Sequence, residues 1–247
     1  MNNYNIDLSK IGRFTDISTV RTDVDMREVD QLVDIVKGYN CICASPMPCV
    51  TKYVIDKLAD TPDTVVTGVV GFPSGADTTS MKVFTAKEMI SLGCEELDMV
   101  INVSAMKSGL YDTVYKDIKA VVDAANGVPV KSILEICYLT DDEIKRASEI
   151  AVKAGVTFVK TGTGWGPKPT TVETIKIIKE TIGDSALIKA AGGVRTLDTM
   201  LEMINAGCNR FGIGIRSALT IFEEAYKRVG VPLPTLKSFR TSETDTY

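Results

Sequence analysis

The chain has 247 residues, 45% of them hydrophobic and 24% charged, and its 28 basic and 32 acidic side chains give a net charge of −4. That composition belongs to an ordinary folded domain and excludes a disordered or fibrous chain. The acidic balance offers no basic footprint for nucleic acid or an anionic membrane, so an anionic ligand needs a local site.

Histidine is absent, which removes imidazole metal ligation, serine–histidine triads and imidazole acid–base catalysis. Six cysteines (Cys41, Cys43, Cys49, Cys94, Cys137, Cys208) lack Cys-x-x-Cys spacing and read as reduced thiols, with Cys43 a small buried hydrophobe. No metal and no cofactor are expected. Met1 to Asn5 do not resemble a signal peptide, and no apolar run approaches the ~18 residues of a membrane helix, so a cytoplasmic location is expected.

In chain order, a β-rich segment at Phe14–Ser18 precedes Asp25 and Glu28, which have capping-box spacing. Further strands are expected at Cys41–Ser45, Val65–Gly71 and, after Leu92-Gly93-Cys94, at Glu96–Ile101. The next covers Val130–Leu139. A second capping box, Thr140 with Glu143, opens a helix whose stripe is Ile144, Ala147, Ala151 and Ala154 and whose terminator is Gly155. Thr157–Thr161 follows, then a third box at Thr170 and Glu173, then Ala186–Ala190. Thr196 starts a helix with Leu197, Met200, Leu201 and Ile204 on one face, ended by Gly207, before the eighth strand at Arg210–Ile215. Eight such units fit the ~250 residues of a single-domain (β/α)8 TIM barrel over 1–247, with 238–247 as a mobile tail. A doubly wound sheet is the rival, but no Gly-x-Gly-x-x-Gly opens an early helix.

In a parallel barrel the functional groups sit at the C-terminal strand ends. Asp98, Lys160 and Lys189 each interrupt an apolar strand, and buried charges persist when they are paired or used. Two neighbouring lysines suit amine chemistry, because each disfavours protonation of the other and a neutral lysine can form a Schiff base. Glu135 reads as a structural partner to a lysine. Gly192-Gly193-Val194-Arg195 and Gly212-Ile213-Gly214 follow strands seven and eight, where barrels bind phosphate through backbone N–H groups.

From Phe14 to Ser217 the sequence resembles the deoxyribose-phosphate aldolases, class I enzymes on a (β/α)8 barrel. The resemblance rests on Lys160-Thr161-Gly162-Thr163-Gly164, on Lys189 before Ala190-Ala191-Gly192-Gly193-Val194-Arg195-Thr196, on Glu96 to Asn102 around Asp98, and on Glu135-Ile136-Cys137-Tyr138-Leu139-Thr140. It implies that Lys160 forms the Schiff base, Lys189 depresses its pKa, Asp98 relays protons and terminal Tyr247 carries a proton. Substrate and its phosphate would meet Gly164, Gly192, Gly193, Arg195, Gly212, Gly214 and Ser217. The implied reaction is reversible cleavage of 2-deoxyribose 5-phosphate to glyceraldehyde 3-phosphate and acetaldehyde, with small phosphorylated sugars and aldehydes as partners, no cofactor, and a homo-oligomer compatible with it. Gly162 and Gly214-Ile215 replace serines usual in the family, so Lys168, Arg195, Arg216 and Ser217 are candidates to compensate at the phosphate. A barrel isomerase or epimerase without a covalent intermediate, and a noncatalytic sugar-phosphate binder, are the alternatives.

Overall fold

Eight parallel strands follow one another around a closed barrel: β1 (Thr15–Thr19), β2 (Cys43–Pro46), β3 (Val65–Val70), β4 (Glu96–Val100), β5 (Val130–Ile133), β6 (Phe158–Lys160), β7 (Leu187–Ala191) and β8 (Arg210–Gly214). The structure is a computed structural model that describes residues 6–239. β1 pairs with both β2 and β8, so the sheet has no open edge. Parallel neighbours need long crossovers, and these are supplied by α1 (Met26–Gly38), α2 (Thr51–Lys57), α3 (Thr79–Leu92), α4 (Val103–Lys107), α5 (Tyr111–Ala125), α6 (Asp141–Ala154), α7 (Val172–Ile182) and α8 (Leu197–Asn205), while α9 (Ile215–Val229) follows β8. The expected single-domain TIM barrel is what forms.

Local chemistry explains most of the boundaries. Asp25 caps α1 through the Glu28 N–H, and Thr140 with Glu143 forms a reciprocal capping box at α6. The third expected box is displaced by one residue. Thr171, not Thr170, caps α7 by accepting from the Thr174 N–H. The Thr170 N–H is held by the Gly192 carbonyl, and its hydroxyl donates to the Ala191 carbonyl, so the chain there is still bound to the end of β7. Helix can begin only afterwards. Gly93, Gly155 and Gly207 all have φ between 92° and 108°, the left-handed conformation that turns each helix back toward its next strand.

Seven strands lie within two residues of their expected bounds, whereas Val130–Leu139 is too long. The Leu134 and Ile136 N–H groups still bond toward β6, at Lys160 and Thr161, so the apolar pattern runs on. Glu135, however, adopts φ 56° and ψ 57°, and Ile136–Tyr138 closes a 3-10 turn. The strand therefore ends at Ile133.

Strand alternation divides the core in two. Ile17, Leu97, Met99, Val159, Ile188 and Phe211 are almost fully buried among the apolar residues that join the sheet to the surrounding helices. Their neighbours Asp16, Asp98, Lys131, Lys160, Lys189 and Arg210 form the barrel interior, and all are buried.

Candidate active site

The interior charges make one connected cluster. Lys160 Nζ lies 2.6 Å from Asp98 Oδ2, and Lys189 Nζ lies 2.8 Å from that same oxygen. Lys189 also donates to Asp16 Oδ2 at 2.5 Å. Lys131 donates to Asp98 Oδ1 at 2.8 Å and contacts Glu96 Oε2 at 2.5 Å. Arg210 joins Asp16 and Glu96 through separate nitrogens, both at 2.9 Å. Thr67 donates its hydroxyl to Asp98 Oδ1 at 3.2 Å. Four cationic side chains thus face three carboxylates, and loss of one lysine proton would bring the two signs to parity.

The lysine of the cluster whose pKa falls is Lys160. Burial pushes its pKa down, Lys189 and Lys131 add to that, and Asp98 only partly opposes them, leaving it at about 8. Lys189 is equally buried, but Asp16 and Asp98 outweigh burial and raise its pKa. Burial likewise opposes the charge of Asp16 and Asp98. The surrounding cations prevail, holding Asp16 at about 2 and Asp98 well below the usual carboxylate range. The second carboxylate at Lys189 is what separates the two lysines.

Above this cluster, at the C-terminal strand ends, lies a cavity of about 260 Å³ with Lys160, Lys189 and Asp98 in its floor. Gly164, Gly192, Gly193, Arg195, Gly212, Gly214 and Ser217 form part of its wall. The residues to which the resemblance assigns catalysis or substrate binding are therefore brought to one place, apart from Tyr247, which lies outside the described residues. Gly214 is the N-cap of α9 and supplies no side-chain cap, so first-turn N–H groups of a 15-residue helix are left for an anion. Arg195 and Ser217 stand on this wall. Lys168 and Arg216 line neighbouring depressions instead.

Part of the cavity wall is aromatic. Trp165 meets Phe72 edge to face with ring centres 6.1 Å apart. Its indole N–H donates to the Val20 carbonyl at 2.8 Å, which links the loops after β1, β3 and β6. Thr161 and Thr170 hydroxyls lie 2.7 Å apart, and both donate to the Ala191 carbonyl. This pins the loop after β6 to the end of β7.

One sequence expectation is corrected here. Among the described residues Glu135 forms no lysine pair; its carboxylate accepts from the Thr163 N–H at 3.3 Å, because the left-handed turn directs it to the loop after β6. Asp16, Glu96, Lys131 and Arg210 were not singled out, although each is a charge in an apolar strand and so carried the same signal as Lys160. Cys43 is buried as expected and its thiol is pushed well up, first by burial and then by Asp16. The Cys43, Asp16 and Glu96 ligand atoms lie within 4.8 Å of one another, but Lys131, Lys189 and Arg210 already neutralise those carboxylates.

Comparison with known proteins bears on the family and the fold. Residues 15–224 match the model of the DeoC/LacD family aldolases. The chain is 41% identical over 218 residues to a deoxyribose-phosphate aldolase of Sinorhizobium medicae, covering 88% of this chain and 87% of that one. It is 43% identical over 203 residues to one of Staphylococcus haemolyticus, covering 81% and 91%. Among solved structures, an aldolase named QR15 superposes with a TM-score of 0.82 at 34% identity, over 89% of this chain and 97% of its own. A deoxyribose phosphate aldolase from Aeropyrum pernix, described as tetrameric, gives 0.79 at 26% identity over 90% and 93%.

Proposed function

The chain belongs to the DeoC/LacD family of aldolases, and from that premise we propose that it is a class I deoxyribose-phosphate aldolase whose Schiff base forms on Lys160. The observation that carries the assignment is a buried lysine in the cavity floor with its pKa at about 8, beside a second lysine that stays charged. At pH 7 about one molecule in ten then has a neutral Lys160, against about one in 2,500 for an unperturbed lysine.

Open-chain 2-deoxyribose 5-phosphate presents its aldehyde to the Lys160 nitrogen, which adds to C1, and loss of water from the carbinolamine gives an iminium. Removal of the C3 hydroxyl proton lets the C2–C3 bond break. C3 leaves as the aldehyde of glyceraldehyde 3-phosphate, and the bonding pair enters the iminium to form an enamine. Protonation at C2 and hydrolysis release acetaldehyde and restore the lysine. Asp98, within 2.6 Å of Lys160 Nζ, is placed to orient water and relay protons in these steps. Lys189 keeps a positive charge against the reacting nitrogen. Tyr247 is proposed as a further proton carrier.

The substrate phosphate is assigned to the loops after β7 and β8: Gly192, Gly193 and Arg195 on one side, Gly212, Gly214 and Ser217 on the other, with Gly164 packed beside Gly192. No helix of the described residues is long and apolar enough to cross a membrane. We place the enzyme in the cytoplasm, and a homo-oligomer fits the tetrameric description of the Aeropyrum pernix structure.

Borohydride reduction in the presence of substrate, followed by peptide mass mapping, tests this reading. An adduct on Lys160, absent in Lys160→Ala, is expected. An isomerase, an epimerase or a noncatalytic binder would give none, and an adduct on Lys189 would reverse the roles of the two lysines.

A further inference from the structure

A hydroxyl that the cluster above does not use faces the same cavity. Ser45, near the end of β2, is only 4% exposed, lines the cavity, and its Oγ has no hydrogen-bond partner among the described groups of the protein. Thr19, Ser132 and Ser238 also carry buried orphaned hydroxyls, but none of these lines the cavity. Burying a hydroxyl without a partner is unfavourable, so an orphan on a residue that lines a binding cavity points to a ligand group.

Its position identifies which group. β2 stands four strands round an eight-stranded closed barrel from β6, so Ser45 faces Lys160 across the opening. Pairing of β8 with β1 and of β1 with β2 aligns Gly214, Ser18 and Ser45 in one rung. At ~4.8 Å per strand, Ser45 is roughly 10 Å of backbone from the N-cap of α9. In a five-carbon chain bonded to Lys160 at C1 and held by its phosphate at α9, C4 adjoins the phosphate-bearing C5, so its hydroxyl would lie near the α9 end of the cavity, where the register sets Ser18 and Ser45 beside Gly214.

We propose that Ser45, with half-buried Ser18 beside it, recognises the C4 hydroxyl of the bound sugar, which is the C2 hydroxyl of glyceraldehyde 3-phosphate. This rests on the aldolase reading. The C3 hydroxyl is consumed in bond cleavage, and the C4 hydroxyl is the one that remains to be read. Ser45 is thereby a specificity-determining residue for hydroxylated acceptor aldehydes.

The test is synthesis from acetaldehyde with two acceptors, glyceraldehyde 3-phosphate and 3-oxopropyl phosphate, which lacks the hydroxyl. Ser45→Ala should lower kcat/KM about three- to tenfold for the first acceptor and leave the second nearly as in the wild type, narrowing the preference by that factor. Its melting temperature should not fall, because the hydroxyl removed bonds to nothing in the protein. An unchanged acceptor ratio, an equal loss for both acceptors or a lowered melting temperature would overturn the proposal. Borohydride trapping of the wild type on Lys160 is run in parallel. Failure there removes the aldolase reading itself, whereas successful trapping with an unchanged acceptor ratio removes only the role of Ser45.

Discussion

Lys160 and Lys189 are paired across β6 and β7, and their ammonium groups meet on a single atom, Asp98 Oδ2. One oxygen cannot compensate two desolvated cations fully, and only Lys189 has a second carboxylate, Asp16, to rely on. The asymmetry of the two lysines follows from this sharing.

Activity should therefore rise with pH along a limb near pH 8, as Lys160 loses its proton. A lysine in the unfolded chain titrates near ~10.4, so between about 8 and that value the unfolded state binds the additional proton. Stability should increase with pH across the same window. Profiles of kcat/KM and urea melts at several pH values check both, and a limb near 10 would place Lys160 outside this account.

Replacing Lys189 by Met removes a cation that holds the Lys160 pKa down, so the limb should move to higher pH. Asp16 and Asp98 would each lose a buried partner, and breaking such a pair costs about 3–5 kcal/mol. Urea titration should register that loss, and the rate profile should register the shift.

Asp98→Asn keeps the shape but removes a charge that three lysines share. Loss of proton relay predicts a fall in kcat of ~10² to 10⁴. Stability should fall as well, since the lysines would be left around a neutral amide. A variant within a few-fold of wild-type kcat would remove Asp98 from the chemistry.

The phosphate assignment predicts that unphosphorylated 2-deoxyribose is a far poorer substrate, because each charge-assisted hydrogen bond lost is worth about 1.5–3 kcal/mol. Gly193→Ala should impair phosphate recognition through the backbone. Its φ is 85°, and a Cβ there would lie 2.2 Å from the Pro169 Cβ. Gly214 has φ −77° and a Cβ there would come no closer than 4.0 Å to any atom outside its own stretch of chain, so Gly214→Ala should fold normally. Equal kcat/KM for the two sugars would show that the phosphate site has been lost.

The barrel was legible because each helix and each glycine joint carries a local signal, as at Thr140, Gly155 and Gly207. Lys160, Lys189 and Asp98 were legible as charges in apolar strands. Asp16, Glu96, Lys131 and Arg210 carried the same signal, but their pairing depends on which strands face one another inside the closed sheet. Spacing along the chain does not encode that. Thr170 was misassigned because a threonine held by a strand end and one that caps a helix look alike in sequence. Ser45 carried no charge to draw attention to it.

Arg210 reaches back 194 residues to Asp16 and 114 to Glu96. Contacts of such sequence separation form slowly, because the loop must close before they reward it. During synthesis, a chain that has not yet reached β8 holds Asp16 and Glu96 without one of their counter-ions and leaves both β1 and β7 as open edges. The nascent barrel therefore depends on its last strand to complete the interior, and truncations short of residue 210 should aggregate rather than yield a smaller folded unit.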